Sequence, residues 1–287
     1  MTQIYLSRIS VLILLLAGWC ASGHAAELKQ KTTAAFDHYV TATEARFSNE
    51  LRPGGTFLYV DGLNPDARRK AYEQLKQGEI LVEKLETKAP GVSSDVPDGM
   101  VHHWVGLIFI PGATLASTLP LVKDYDRRAE LYKPDVSASR TLSHNGDEFK
   151  MFLRLHQKKF TTVDFNTTYD VHWGQVDPTK VFSNSISVRI AEVKDVEKPD
   201  GEELPVGTGH GYLWRLNTYW RFEEKDGGVY LQCEALSLTR DMPTGLGWLL
   251  KPLVTSIPKA SLNRALGQTR RVVMEEGKKC CNSAQAH

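Results

Sequence analysis

The residues able to do chemistry are few and scattered along this 287-residue chain. His102 and His103 stand side by side in VHHWVGLIFI, a β-branched and aromatic run that predicts a buried strand over Val101–Ile110. Successive strand residues point to opposite faces, so the two imidazoles cannot ligate one metal without distortion. Asp170 and His172 lie two apart and share a face with Asp164. With Arg154 and His156 they suit either a metal or acid–base site or a solvated outer sheet surface, and the solvated surface is the expectation. His144 sits beside a hairpin turn and His210 between two glycines. The chain has no GxSxG elbow, Walker loop, dinucleotide fingerprint or HExxH. Gly207-Thr208-Gly209-His210-Gly211 leads into a strand rather than a helix, which argues against a phosphate cradle and for a lip at a chamber mouth. No catalytic residue is assigned.

Four cysteines, Cys20, Cys233, Cys280 and Cys281, make neither a disulfide framework nor a zinc spacing. Cys233 falls on the apolar face of a strand and reads as a core thiol. No metal and no cofactor is expected. Lys plus Arg total 35 and Asp plus Glu 34, so no basic footprint points to nucleic acid.

Arg8, the apolar run Ile9–Gly18 and the small residues Gly23-His24-Ala25-Ala26 have the layout of a secretory signal peptide over 1–26. Cleavage is expected after Ala25 or Ala26, with the mature protein exported to the periplasm or the extracellular space.

The elements that must position any site follow from periodicity. Phe36, Tyr39, Val40 and Phe47 recur at helical spacing in a first helix, 28–51. Thr56–Val60 reads as a short strand, and Asn64-Pro65 starts a second helix with Asn64 as its N-cap. Residues 27–77 form an N-terminal helical extension. After the strand at Val101–Ile110 a helix follows, which Pro120 must kink or split. From Val136 the period becomes two, giving segments 136–144, 147–157, 159–173 and 182–193. Asn145-Gly146 is a strong hairpin signal.

Residues 210–240 read as a long hairpin whose alternation assigns an inner and an outer face. Pairing Glu223 with Gly228 sets Phe222 opposite Val229 and Trp220 opposite Leu231. Arg215, Asn217, Arg221, Gln232 and Glu234 collect on the other face. Val163, Phe165, Tyr169, Val171 and Trp173 share the inner face of an earlier strand, as do Ile186, Val188 and Ile190 of the next. A last helix, about 251–274, brings Val254, Ile257, Leu262, Ala265, Leu266 and Val272 along one stripe. Strands grouped without interleaved helices give an α+β domain rather than a doubly wound sheet. Candidate ligand-binding residues are Phe165, Tyr169, Trp173, Ile186, Val188, Tyr212, Trp214, Trp220 and Leu262. In the loop before the last helix, Leu246, Trp248 and Leu249 suit a transient membrane contact or a gate.

VHHWVGLIFI, VKDYDRRAELYKP, SASRTL, GGVYLQCEALSLTRDMP and IPKASLNRALGQTRRVV together resemble the START-like (SRPBCC) superfamily, which includes Bet v 1 proteins and polyketide cyclases. The resemblance covers 78–275 and leaves a polar tail, 276–287. It implies a helix-grip fold: a curved antiparallel sheet wrapped around a long C-terminal helix. It further implies an apolar small molecule or lipid held between sheet and helix. Two other readings stand beside this carrier: a cyclase, dehydratase or hydrolase using the same chamber, and a structural module with a filled core.

Overall fold

The computed structural model describes residues 26–158, 162–194, 201–241 and 247–284, with side chains throughout except at 247–255 and 278–284. The expected leader, apart from Ala26, lies outside the described residues. So do Leu246 and the side chains of Trp248, Leu249, Val254, Cys280 and Cys281.

The chain opens with α1 (Gln30–Glu50) and α2 (Pro65–Lys76). Strands β1 (Leu81–Lys84), β2 (Asp95–Val96) and β3 (Gly99–Pro111) follow. Two short helices, α3 (Leu115–Lys123) and α4 (Arg128–Leu131), precede an antiparallel run. Its strands are β4 (Val136–Asn145), β5 (Glu148–Lys158), β6 (Thr162–Asp177), β7 (Lys180–Val193), β8 (Arg215–Lys225) and β9 (Gly228–Arg240). Helix α5 (Gly247–Ala284) closes the described chain and is longer at both ends than its apolar stripe predicts. The strand order is β1-β3-β9-β8-β7-β6-β5-β4, with β2 paired to β3.

The two ends of this sheet meet the same helix. Beside β1, Arg270 donates to the Gly78 carbonyl over 2.7 Å. Beside β4, Gln268 donates to Asp135 over 3.0 Å, and Val272 is buried with Val136. A sheet whose opposite edges both reach residues 268–272 must curl around α5. The fold is therefore α+β, an antiparallel sheet gripping a long C-terminal helix. In mid-sheet the approach is closest at Gly106. A Cβ there would lie 2.4 Å from Leu266 Cδ1 and 3.1 Å from Leu262 Cγ.

The N-terminal helices cover the outer face. Phe36, Tyr39, Val40 and Phe47 are buried against Val101, Trp214, Tyr219, Leu236 and Leu238. Asn64 caps α2 as expected, accepting from the Ala67 amide at 3.0 Å, and Ala71 and Leu75 pack on Val105, Leu107 and Tyr230. The strand expected at Thr56–Val60 does not form. A 3-10 turn (Tyr59–Gly62) stands there, and its Tyr59 amide donates to Gln232 Oε1 at 2.6 Å. The demand of a buried outer-face amide outweighs local β preference.

Pro120 lies inside α3, which ends three residues later, so the predicted long helix is split into α3 and α4. Two register findings correct the sequence reading. The β8–β9 hairpin pairs Lys225 with Gly228, Phe222 with Leu231 and Trp220 with Cys233. Asp226 and Gly227, with φ of 58° and 75°, form a two-residue turn of the kind that favours tight hairpins. This is a shift of two residues from the expected pairing, so both faces keep their composition. In β7 a bulge sits at Val188: Thr168 pairs with Arg189 but Tyr169 pairs with Ser187. One extra residue inverts the alternation on its far side.

Candidate functional site: the inner face of the sheet

The inner face is read across the strands. One row runs Trp104–Ala235–Thr218–Ser185–Val171, and the next runs Gly106–Cys233–Trp220–Ser183–Trp173. A third begins His102–Ser237–Leu216. Tyr169, Trp173, Phe222, Leu231, Leu262 and Leu266 are buried together between these rows and α5. Trp104, Phe149, Leu153, Leu216 and Trp220 pack against the same cluster but stay partly exposed. Ala235, on a strand flanked on both sides, is also only partly buried. Large apolar groups and a central alanine on the inner face of a helix-covered sheet retain free surface.

Of the nine candidate lining residues, Tyr169, Trp173, Trp220 and Leu262 meet in this cluster. Phe165 is buried beside it with Val163 and Ile190, next to Leu216. Ile186 and Trp214 stand instead on the outer face, against α1. The Val188 bulge puts Ile186 out of phase with Ile190. Trp214 precedes the first residue of β8, so strand alternation does not extend to it. Val188 is 48% exposed at the bulge, and Tyr212 is 44% exposed and stacked on His210.

Two polar groups of the wall are well defined. Trp173 Nε1–H donates to Tyr125 Oη at 2.9 Å. The Tyr169 hydroxyl is fully buried, and desolvation pushes its pKa up to about 12. Burial likewise holds the Cys233 thiol well above its ordinary range, as a core thiol should be.

His102 adds an imidazole to this face. It pairs with Ser237 and is 4% exposed. Its Nε2 lies 3.0 Å from Thr239 Oγ1, which itself donates to the Arg240 carbonyl. Thr239 therefore accepts, His102 carries its proton on Nε2, and Nδ1 keeps its lone pair. Burial, then the charge of Lys84, lowers the His102 pKa to about 4. Facial parity alone could have placed His102 inside once Trp104, two residues on, was assigned to the core.

His103 faces the other way. Tyr39 Oη accepts from the Thr87 amide at 2.7 Å and meets His103 Nδ1 at 2.9 Å. His103 Nε2 meets Glu234 Oε1 at 2.5 Å, and Arg46 binds the same oxygen. Arg46 also donates to Glu50 at 2.8 Å, and Glu50 accepts from Arg221 at 2.5 Å. The polar face of the hairpin, expected on the outside, is there but buried: Asn217, Arg221, Gln232 and Glu234 are at most 3% exposed. It is an ionic layer that docks α1.

Asp170 and His172 do lie on an exposed outer surface, paired with Lys150 at 2.6 Å and Glu148 at 2.5 Å respectively. Asp164 differs: it is 5% exposed and bonded to His156 at 2.7 Å. A groove of about 410 Å³ runs beside α1, lined by Glu44, Phe47, Leu51, Asp170, His172 and Ile186. Among the described residues, no three His, Cys, Asp or Glu side chains gather as a metal site. No described helix is long and apolar enough to cross a membrane. The glycine-rich segment 207–211 is tied down, since the amides of Ala26 and Leu28 donate to the carbonyls of Gly209 and Gly207 at 2.7 Å each.

No family model matches the chain, and no curated protein matches it. Solved structures similar to it include human STARD10, at 8% identity and TM-score 0.43 over 78% of this chain and 85% of that one. A STAR-related lipid transfer protein from Xanthomonas axonopodis matches at 15% identity and TM-score 0.40, over 66% and 98%. The Zhui aromatase/cyclase from Streptomyces sp. R1128 matches at 12% and 0.41, over 62% and 94%. At these values the likeness is one of general layout and assigns no ligand.

Proposed function

We propose that the protein is an exported carrier that holds a hydrophobic small molecule or lipid between the sheet and α5. The observation that carries this reading is the free apolar surface inside the grip, on Trp104, Leu216 and Trp220. Free apolar area facing a covered space favours an apolar occupant, at about 25 cal/mol per Å² removed from water. Tyr169, Trp173 and Leu262 would form the closed wall, with Phe165 at its margin. Export rests on the leader pattern in residues 1–26. A membrane contact through Leu246, Trp248 and Leu249 would serve loading or release.

The enzyme reading has one residue in its favour, His102. A base with a pKa near 4 has little driving force to take a proton at neutral pH. His102 is better suited to accepting a hydrogen bond than to abstracting a proton. That weighs toward binding.

The test is to purify the mature protein natively and extract it for mass spectrometry of bound small molecules. A stoichiometric apolar compound supports the carrier. An empty protein that also takes up no apolar fluorescent dye would overturn it in favour of the filled module.

A further inference from the structure

The groove beside α1 lies on the outer face of the sheet, on the far side from α5. It encloses about 410 Å³. Small-molecule sites are of this order, roughly 300–1,000 Å³. Phe47 and Leu51, at the end of α1, and Ile186 of β7 give it an apolar floor. Three carboxylates stand around that floor: Glu44, Glu148 and Asp170. Among the described residues, no lysine or arginine lines it.

Each carboxylate is anchored through one oxygen. Glu44 Oε1 accepts from the Tyr219 hydroxyl at 2.7 Å. Glu148 Oε1 meets His172 Nδ1 at 2.5 Å, and Asp170 Oδ1 meets Lys150 Nζ at 2.6 Å. An ionised carboxylate has about four acceptor sites, so the second oxygen of each is open to a further donor. The sheet sets their separation. Glu148, His172, Asn184 and Tyr219 are successive cross-strand partners on β5, β6, β7 and β8. At about 4.8 Å between strands, this row is on the order of 14 Å long. Glu148 and Asp170 mark one end of it, and Glu44, bonded to Tyr219, overhangs the other. Ile186, paired with Asp170, lies between. The groove is thus negative at both ends and apolar in the middle.

We propose that this groove binds a linear diammonium ion, an aliphatic chain with an amine at each end. One ammonium sits at Glu44 and the other at Glu148 and Asp170, with the methylenes along Ile186 and Phe47. A monoamine satisfies one end only. A fatty acid brings its carboxylate against like charge. Two charges joined by a spacer that matches the span bind more tightly than either alone. The site is separate from the space between sheet and α5, so its failure would leave the carrier proposal standing.

Isothermal titration calorimetry of the natively purified protein, at neutral pH and low salt, compares diaminooctane, octylamine and diaminopropane. Diaminooctane should bind one to one, about tenfold tighter than the monoamine or the short diamine. Its affinity should fall as salt is raised. The Glu44→Gln/Asp170→Asn variant should lose this advantage and bind diaminooctane no better than octylamine. Both replacements keep side-chain shape and an acceptor oxygen, so the fold should hold, and a melting temperature checks it. Glu148→Gln alone, at a side chain 65% exposed, should give a smaller loss in the same direction. Equal affinities for the three amines, no binding of any, or an unchanged preference in folded variants would overturn the proposal.

Discussion

His102 and His103 are consecutive residues whose rings lie on opposite sides of one sheet. One is a neutral imidazole inside the grip, and the other is part of the ionic layer beneath α1. Strand alternation imposes the division. It gives the two residues different consequences for stability and binding.

For His102 the consequence is acid sensitivity. Its folded pKa, near 4, lies below the unfolded value of about 6.5. The unfolded state therefore binds the extra proton as pH falls from 6.5 to 4, and stability drops across that window by at most about 3 kcal/mol. Urea midpoints measured from pH 7.5 to 4 should show this slope, and His102→Gln should flatten it. An unchanged slope in the variant would assign the window to other groups. Glu234 acts lower. Burial raises its pKa, but the bond from His103 and the charge of Arg46 outweigh that and hold it below the usual carboxylate range. Its contribution is present above about pH 4.5 and is lost as pH falls through its folded pKa.

Glu234→Gln removes the anion shared by His103 and Arg46. A fully buried pair broken this way costs about 3–5 kcal/mol. Arg46 is partly exposed and water screens it, so about 2–3 kcal/mol is expected. Tyr39→Phe, which loses one neutral bond pair, should cost about 1 kcal/mol. Chemical denaturation checks the order. Equal costs would mean that the charge itself matters little to α1 docking.

Gly106→Ala should push α5 off the sheet, because the new methyl would meet Leu266 at 2.4 Å. Overpacking of this kind costs about 1–3 kcal/mol. Leu266→Ala in the same chain should be less damaging than the sum of the two single changes. A double-mutant cycle reads the coupling, and strict additivity would rule out the contact.

Trp220→Ala and Phe222→Ala share a strand face but should behave differently. Phe222 is 1% exposed, and its truncation should cost about 3–5 kcal/mol. Trp220 keeps free surface, so its truncation should cost less and chiefly weaken uptake of an apolar dye. Thermal melts and dye titrations separate the two effects. Severe destabilisation by Trp220→Ala with dye binding intact would favour a filled core.

The Val188 bulge offers a simpler contrast. Val188→Asp, at a site 48% exposed, should fall within about 0.5 kcal/mol of wild type. Ile190→Asp would bury an unpaired charge two residues away and should unfold the domain. Similar stabilities would show that β7 can slip its register.

Periodicity along the chain was enough to assign the faces of β6, β8 and β9, though not to foresee the 3-10 turn at Tyr59–Gly62. A two-residue slip in the hairpin left those faces unchanged, because side-chain direction repeats every two residues. Asn64, Asn145-Gly146 and the apolar stripes of α1 and α5 were legible because caps, turns and helical spacing are local chemistry. Tertiary structure decided what alternation cannot carry. The bulge at Val188 depends on β6 as its partner, and it sent Ile186 outward while Ile190 stayed inside. Burial of Arg221 and Glu234 depends on α1, more than 150 residues earlier in the chain, laying complementary charges over them, and that of Gln232 on the Tyr59 amide of the 3-10 turn. Local pattern says which way a side chain points. Only the packed fold says what stands in front of it.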